Sequence, residues 1–288
     1  MIRRPPRSTQ GVSSAASDVY KRQLQSAINN QESGEQKTRL QQAIWYRNGR
    51  LAVDQKQWDQ CRVPFTNLIE SATDTSMVHE ARFWIAETDY QTGNYRTSEE
   101  AFIHLIEDVR NRNTSWINTA RLRTCQAIAA QERWKEAIHS ADTLLQTFPD
   151  YPLGHEVDYL IGRCHSSQAE FDLAREAFDR CLESTSGKNT ETAAQAQFMI
   201  GETYFHQKDF EQALRAFLRV EILYAYPKWQ AASLFEAGKC AERMNIPQQA
   251  ITFYQKILDT EKFRETSFAE KAMTRLQMLR NSSQTTKP

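Results

Sequence analysis

GETYFHQKDFEQALRAF, residues Gly201–Phe217, places a small residue at 201, an aromatic nine positions on at Phe210, an alanine at 213 and a second aromatic at 217. The same offsets return along the chain. The small residue recurs as Gly49, Ala86, Cys125, Gly162 and Gly238. Nine positions beyond come Trp58, Tyr95, Trp134, Phe171 and, displaced by one, Ile246. Twelve beyond come Cys61, Ser98, Ala137, Ala174 and Ala250; sixteen beyond come Phe65, Phe102, Ala141, Phe178 and Tyr254. Nineteen beyond, Leu68, Leu105, Leu144, Cys181, Val220 and Ile257 complete the set.

These offsets describe a helical hairpin. A small residue on each helix lets two antiparallel helices approach closely, and the aromatic between them seals the turn. Bulky residues four and seven beyond the second small site share one helical face and pack on the neighbour. One such hairpin cannot bury its apolar face alone, so copies must stack. The small sites are spaced 37, 39, 37, 39 and 37 residues apart, and the alternation points to duplication of a two-hairpin block. Because offsets inside a copy are constant, the extra length falls in connectors such as FPDYPLG and STSGKNT, which carry turn residues.

With 40% hydrophobic residues the 288-residue chain can fold a core, yet no run reaches the roughly 18–20 apolar residues of a membrane-spanning helix. Its formal charge is zero, but residues 1–23 hold five basic residues and one acid, leaving 31 basic against 35 acidic residues in the remainder. An acidic body is a poor match to phosphate backbones, which argues against nucleic acid as a partner. Residues 1–23, MIRRPPRSTQGVSSAASDVYKRQ, read as translated sequencing-adapter sequence, with an Arg- and Ser-rich organellar transit peptide as the alternative. On the first reading they are disordered and foreign to the fold, and the natural N-terminus lies upstream. The compartment, cytoplasmic or periplasmic, then stays open.

The set of small residue, aromatic, alanine and aromatic resembles the tetratricopeptide-repeat family, best in Ala196–Val220, AQFMIGETYFHQKDFEQALRAFLRV. The resemblance covers about Gln42 to Leu258. It implies an all-α fold: an α-solenoid of six stacked helix-turn-helix repeats with a C-terminal capping helix. The expected division is 24–41 as the remnant of a truncated preceding repeat and linker, 42–266 as six repeats, 267–280 as the cap and 281–288 as a disordered tail. Ser267 and Glu270 read as a capping box opening the last helix. Two departures stand out: Ala141 replaces a bulky residue, and Pro64 should kink or shorten the second helix of the first copy.

Little in the sequence suggests catalysis. The five cysteines form no C-x-x-C pair, the six histidines form no H-E-x-x-H, and adjacent Cys164 and His165 diverge by about 100° on a helix. Neither a phosphate-binding loop nor a nucleophile elbow is present, so no catalytic, metal or cofactor residue is assigned. The family resemblance instead implies a non-enzymatic scaffold binding a protein or peptide along the concave face formed by first helices. The residues one, four and five beyond the small site that would line it include Arg50, Glu87, Tyr90, Gln126, Arg163, Glu202, Phe205, His206, Lys239 and Arg243. The Lys/Asn clamp of chaperone-binding relatives is not recognisable. Pentatricopeptide repeats, which read RNA, share a similar period but favour basic surfaces. The alternative is the accessory half of a larger enzyme or a cell-envelope assembly factor; YP near the end of a long-period copy, as in VEILYAYPKW, is similar to bacterial envelope proteins of that kind.

Overall fold

The computed structural model describes residues 34–71, 76–108 and 114–285, and within them the chain forms thirteen α-helices and no strand. The segment 1–23 and most of 24–41 lie outside the described residues. In order the helices are α1 (Gly34–Asp54), α2 (Trp58–Ser71), α3 (Ser76–Gln91), α4 (Tyr95–Asp108), α5 (Ile117–Ala130), α6 (Trp134–Thr147), α7 (Gly154–Ser167), α8 (Phe171–Glu183), α9 (Glu191–His206), α10 (Phe210–Leu223), α11 (Pro227–Arg243), α12 (Pro247–Asp259) and α13 (Ser267–Thr285). A 3₁₀ turn at Glu261–Phe263 precedes α13. The fold is the expected all-α solenoid of helix hairpins. It divides into unit 1, ending at Ala127, and unit 2, beginning at Ile128.

Close approach at the small site explains the repeat. A Cβ built on Gly49 would stand 2.5 Å from the Phe65 ring, on Gly162 2.5 Å from Phe178, on Gly201 2.6 Å from Phe217 and on Gly238 2.3 Å from Tyr254. Each ring packs against the bare backbone of the partner helix, and all four are fully buried, as is Phe102. The nineteenth-offset residues Leu68, Leu105, Leu144, Cys181, Val220 and Ile257 are buried as well.

Each hairpin turn is closed the same way. Lys56, Gly93, Glu132, Ala169, Lys208 and Asn245, all seven beyond the small site, adopt positive φ between 56° and 86°. In the fifth copy Lys208 N donates to Phe205 O and Asp209 N to Tyr204 O, both at 3.0 Å, so the last carbonyls of α9 are satisfied by a left-handed cap. The second helix then starts at once. Asp209 Oδ1 accepts from Gln212 N at 3.1 Å, and Pro247 opens α12, where its missing N–H costs nothing.

Three boundaries differ from expectation. Residues 34–41 continue α1 without a break, so they belong to the first helix and not to a linker. The cap helix runs on to Thr285, taking in residues expected as tail, and Ser267 is its first residue, preceded by Thr266. Pro64 does not shorten α2, which spans 14 residues like α4 and α10. Packing of Cys61, Phe65 and Leu68, all buried, holds the helix together across the missing donor. Replacing Pro64 with alanine gives Gln60 O its fourth-residue donor back. Since the unfolded chain also gains freedom, a net stabilisation of about 1–2 kcal/mol is expected. Urea unfolding checks this, and an unchanged or lower midpoint contradicts it.

Candidate functional site on the first helices

In unit 2 successive first helices pack directly on one another, α7 with α9, α9 with α11 and α11 with α13. No comparable packing joins α8 to α10 or α10 to α12 among the described residues. The first helices therefore form the tightly spaced row of this unit.

Residues three before and one, four and five beyond the small site share one helical face. On α7 this face presents Tyr159 and Arg163, on α9 Phe198, Glu202, Phe205 and His206, and on α11 Phe235, Lys239, Glu242 and Arg243. The rings three before the small site were missed as a set by sequence reasoning, although their period is readable: Tyr46, Phe83, Tyr159, Phe198 and Phe235, with Leu122 in the third copy. Each ring of unit 2 packs on the buried ring of its own hairpin, at centroid distances of 5.9 Å for Tyr159–Phe178, 5.2 Å for Phe198–Phe217 and 5.5 Å for Phe235–Tyr254. Those three are half-buried; Phe198 also meets Trp229 at 5.5 Å and Phe235 meets Phe268 at 5.9 Å.

Charge on the unit 2 face is ordered. Lys239 Nζ lies 2.5 Å from Glu236 Oε2 and 5.0 Å from the centre of the half-buried Phe205 ring. Phe205 meets Phe210 edge-on at 5.3 Å. His206 is exposed, stacks on Phe171 with planes 2° apart, and sits 3.9 Å from Glu202. Burial, reinforced by Glu236 and partly offset by Lys239, pushes the Glu202 carboxyl up to about 7. Glu242 accepts from Tyr254 Oη at 2.5 Å and lies 3.5 Å from Arg275. Arg163 and Arg243 are exposed; Arg163 approaches only the Tyr159 ring, at 6.0 Å, and neither guanidinium has a carboxylate within ion-pair distance among the described residues.

The equivalent residues of unit 1 are consumed internally. Glu87 is buried and accepts from Arg123 Nε at 2.7 Å and Nη2 at 2.8 Å, and from Gln91 at 2.7 Å. The same guanidinium donates to Gln126 and covers the Tyr90 ring at 4.6 Å. Arg50 reaches Glu80 at 3.2 Å and lies 4.3 Å over Trp84. Thus Arg50, Glu87, Tyr90 and Gln126 are tied into the packing of unit 1, whereas on unit 2 Glu202 meets His206 and Lys239 meets Phe205, and Arg163 and Arg243 share only their helical face. Arg123, which organises the first group, carries no periodic signal in the sequence.

Other chemistry does not gather. All five cysteines are buried and none forms a disulfide, and burial pushes the Cys181 and Cys240 thiols up to about 12, far from a reactive thiolate. No three ligand-type side chains could hold a metal among the described residues. A cleft of about 420 Å³ on the α1–α2 hairpin is lined by Trp45, Asn48, Leu51, Gln57, Val63 and Pro64 among others, and no ionisable group lines it. No described helix is long and apolar enough to cross a membrane.

Comparison with known proteins identifies the repeat. Family models described as "Tetratricopeptide repeat" match residues 126–189 and 167–228, and a second one matches 232–260. Among curated proteins no sequence matches the chain. Similar solved structures include the apo form of RapI (12% identity, TM-score 0.63, covering 85% of this chain and 72% of that one). PilW, a type IV pilus biogenesis factor, aligns at 15% identity and TM-score 0.58 over 77% of this chain and 96% of its own. PilF of Pseudomonas aeruginosa aligns at 13% identity and TM-score 0.56, with 79% and 97% covered. At these identities the likeness is one of fold.

Proposed function

The chain is a tetratricopeptide-repeat protein, and from that premise we propose that it is a non-enzymatic scaffold holding a protein or peptide partner on the first-helix face of unit 2. One observation carries the reading. Three successive first helices present half-buried rings beside a polar row whose two outer cations are unpaired, while the matching row in unit 1 is already saturated by its own ion pairs. Half-buried aromatic rings beside satisfiable charges are the composition of a protein-binding centre. Lys239 is pinned by Glu236 and Phe205, so little side-chain freedom is lost when a partner docks.

The test is selection of peptides from a random display library on the full chain, followed by hydrogen-exchange mapping. Bound peptides are expected to protect α7, α9 and α11, and Phe205→Ala is expected to weaken them by roughly 30-fold, the effect of losing a central aromatic anchor. Selected peptides that protect only second helices, or that are indifferent to Phe205→Ala, refute the assignment.

A further inference from the structure

We propose that the partner segment is an extended acidic peptide, with two carboxylates about six residues apart seated on Arg163 and Arg243 and an apolar side chain between them against Phe205. This rests on the unit 2 face being the docking surface.

The argument is one of charge complementarity. The carboxylates of the face each have a polar neighbour: Glu236 has Lys239, Glu242 has Tyr254 and Arg275, and Glu202 has the His206 ring at 3.9 Å with Lys239 close by. The cations are not balanced in the same way. Arg163 and Arg243 remain exposed without an anionic partner among the described residues, so the ionic capacity left on this surface is for anions. Their guanidinium forks suit a carboxylate better than a point charge would.

Spacing sets the ligand. Arg163 is one residue beyond its small site on α7 and Arg243 is five beyond on α11, with α9 between. Two interhelical steps of about 9–10 Å, with four residues of rise at about 1.5 Å each, separate the two positions by about 20 Å. An extended chain covers that in about six residues at roughly 3.3–3.6 Å apiece. Midway lie Phe205, half-buried with Lys239 beside it, and the exposed His206 on Phe171. A leucine-sized side chain there has an apolar wall to bury against.

The probe is the labelled heptapeptide Asp-Ser-Ala-Leu-Ala-Ser-Asp, capped at both ends, titrated against the full chain by fluorescence anisotropy at about 30 mM salt, where exposed ion pairs are little screened. Parallel titrations use versions with both Asp replaced by Asn or by Lys, a version with the two Asp only two residues apart, and a single-stranded oligothymidylate. The Asp peptide is expected to bind about tenfold tighter than the Asn and short-spaced versions, from two exposed pairs. Arg163→Glu and Arg243→Glu should each remove most of that preference, with Arg163→Gln intermediate. Circular dichroism confirms that the exposed substitutions leave the helices formed. Equal binding of Asp and Asn peptides, preference for Lys, indifference to either reversal, or tighter capture of the oligonucleotide each overturns the proposal. Preference for Lys that is still lost in Phe205→Ala would overturn the acidic ligand while leaving the docking face intact.

Discussion

Phe217→Ala is expected to lower the stability of unit 2 by about 3–5 kcal/mol, the loss typical of a large ring removed from a core that cannot collapse around the void. The ring is fully buried, tilts against Phe198 at 5.2 Å, and rests on the backbone of α9 where a Cβ at Gly201 would stand 2.6 Å from it. A helix backbone cannot move in to fill the gap, so the cavity persists. Urea unfolding followed by circular dichroism measures the loss, and a value below about 0.5 kcal/mol would contradict the seam. The companion test is Gly201→Ala. Alone it should destabilise, because the new methyl overlaps the ring. In the Phe217→Ala background the same methyl enters the void and the helix gains up to about 1 kcal/mol of propensity, so the sign should reverse. The two sites are neighbours across one interface, and such sites couple.

That pairing explains why the fold was legible. A residue kept small because a ring lies on it, and the ring itself sixteen positions on, are both composition signals, and they recur at fixed offsets. Even the third copy, with Cys125 and Ala141, exchanges volume between the two positions, and both residues are buried. The hairpin turn was less visible. A left-handed residue seven beyond the small site closes every copy, yet glycine or asparagine occupies it only at Gly93 and Asn245. The cap geometry, with two hydrogen bonds onto helix carbonyls at Lys56, Ala169 and Lys208 and with a bond to Ala129 O at Glu132, outweighs a backbone preference of about 1–2 kcal/mol. Residue type alone does not report such a balance.

The candidate site was half legible for a similar reason. Helical spacing names the residues that share a face, and on unit 2 it placed Arg163, Glu202, Phe205, His206, Lys239 and Arg243 on one face of successive first helices. Spacing does not reveal which side chains are already engaged. Glu87 lies at the same offset as Glu202, but Arg123 reaches it from α5 with two hydrogen bonds, a contact 36 residues away in sequence. Long arginines choose partners in three dimensions, so the saturation of unit 1 became visible only in the folded chain.

Glu202 gives the second large effect, and its sign follows from linkage. Burial beside Glu236 raises its carboxyl from 4.5 to about 7 in the folded chain, while Lys239 opposes the shift. Between those two values the folded state binds more protons at this site than the unfolded state. Stability from this group is therefore fully present below about pH 4.5, falls as pH rises, and is lost above about 7. At about 1.36 kcal/mol per unit, the difference is on the order of 3 kcal/mol across that interval. Glu202→Gln removes the titrating group and keeps its shape. It is expected to match the wild type near pH 4.5 and to exceed it by up to about 3 kcal/mol at about pH 8. The wild-type-minus-variant difference in unfolding free energy, measured at intervals across that range, isolates this residue from the rest of the chain. A flat difference, or a variant that is less stable at the alkaline end, would mean that Lys239 neutralises Glu202 as fully as it does Glu236. The first-helix face would then carry an ionised carboxylate at its centre throughout the neutral range.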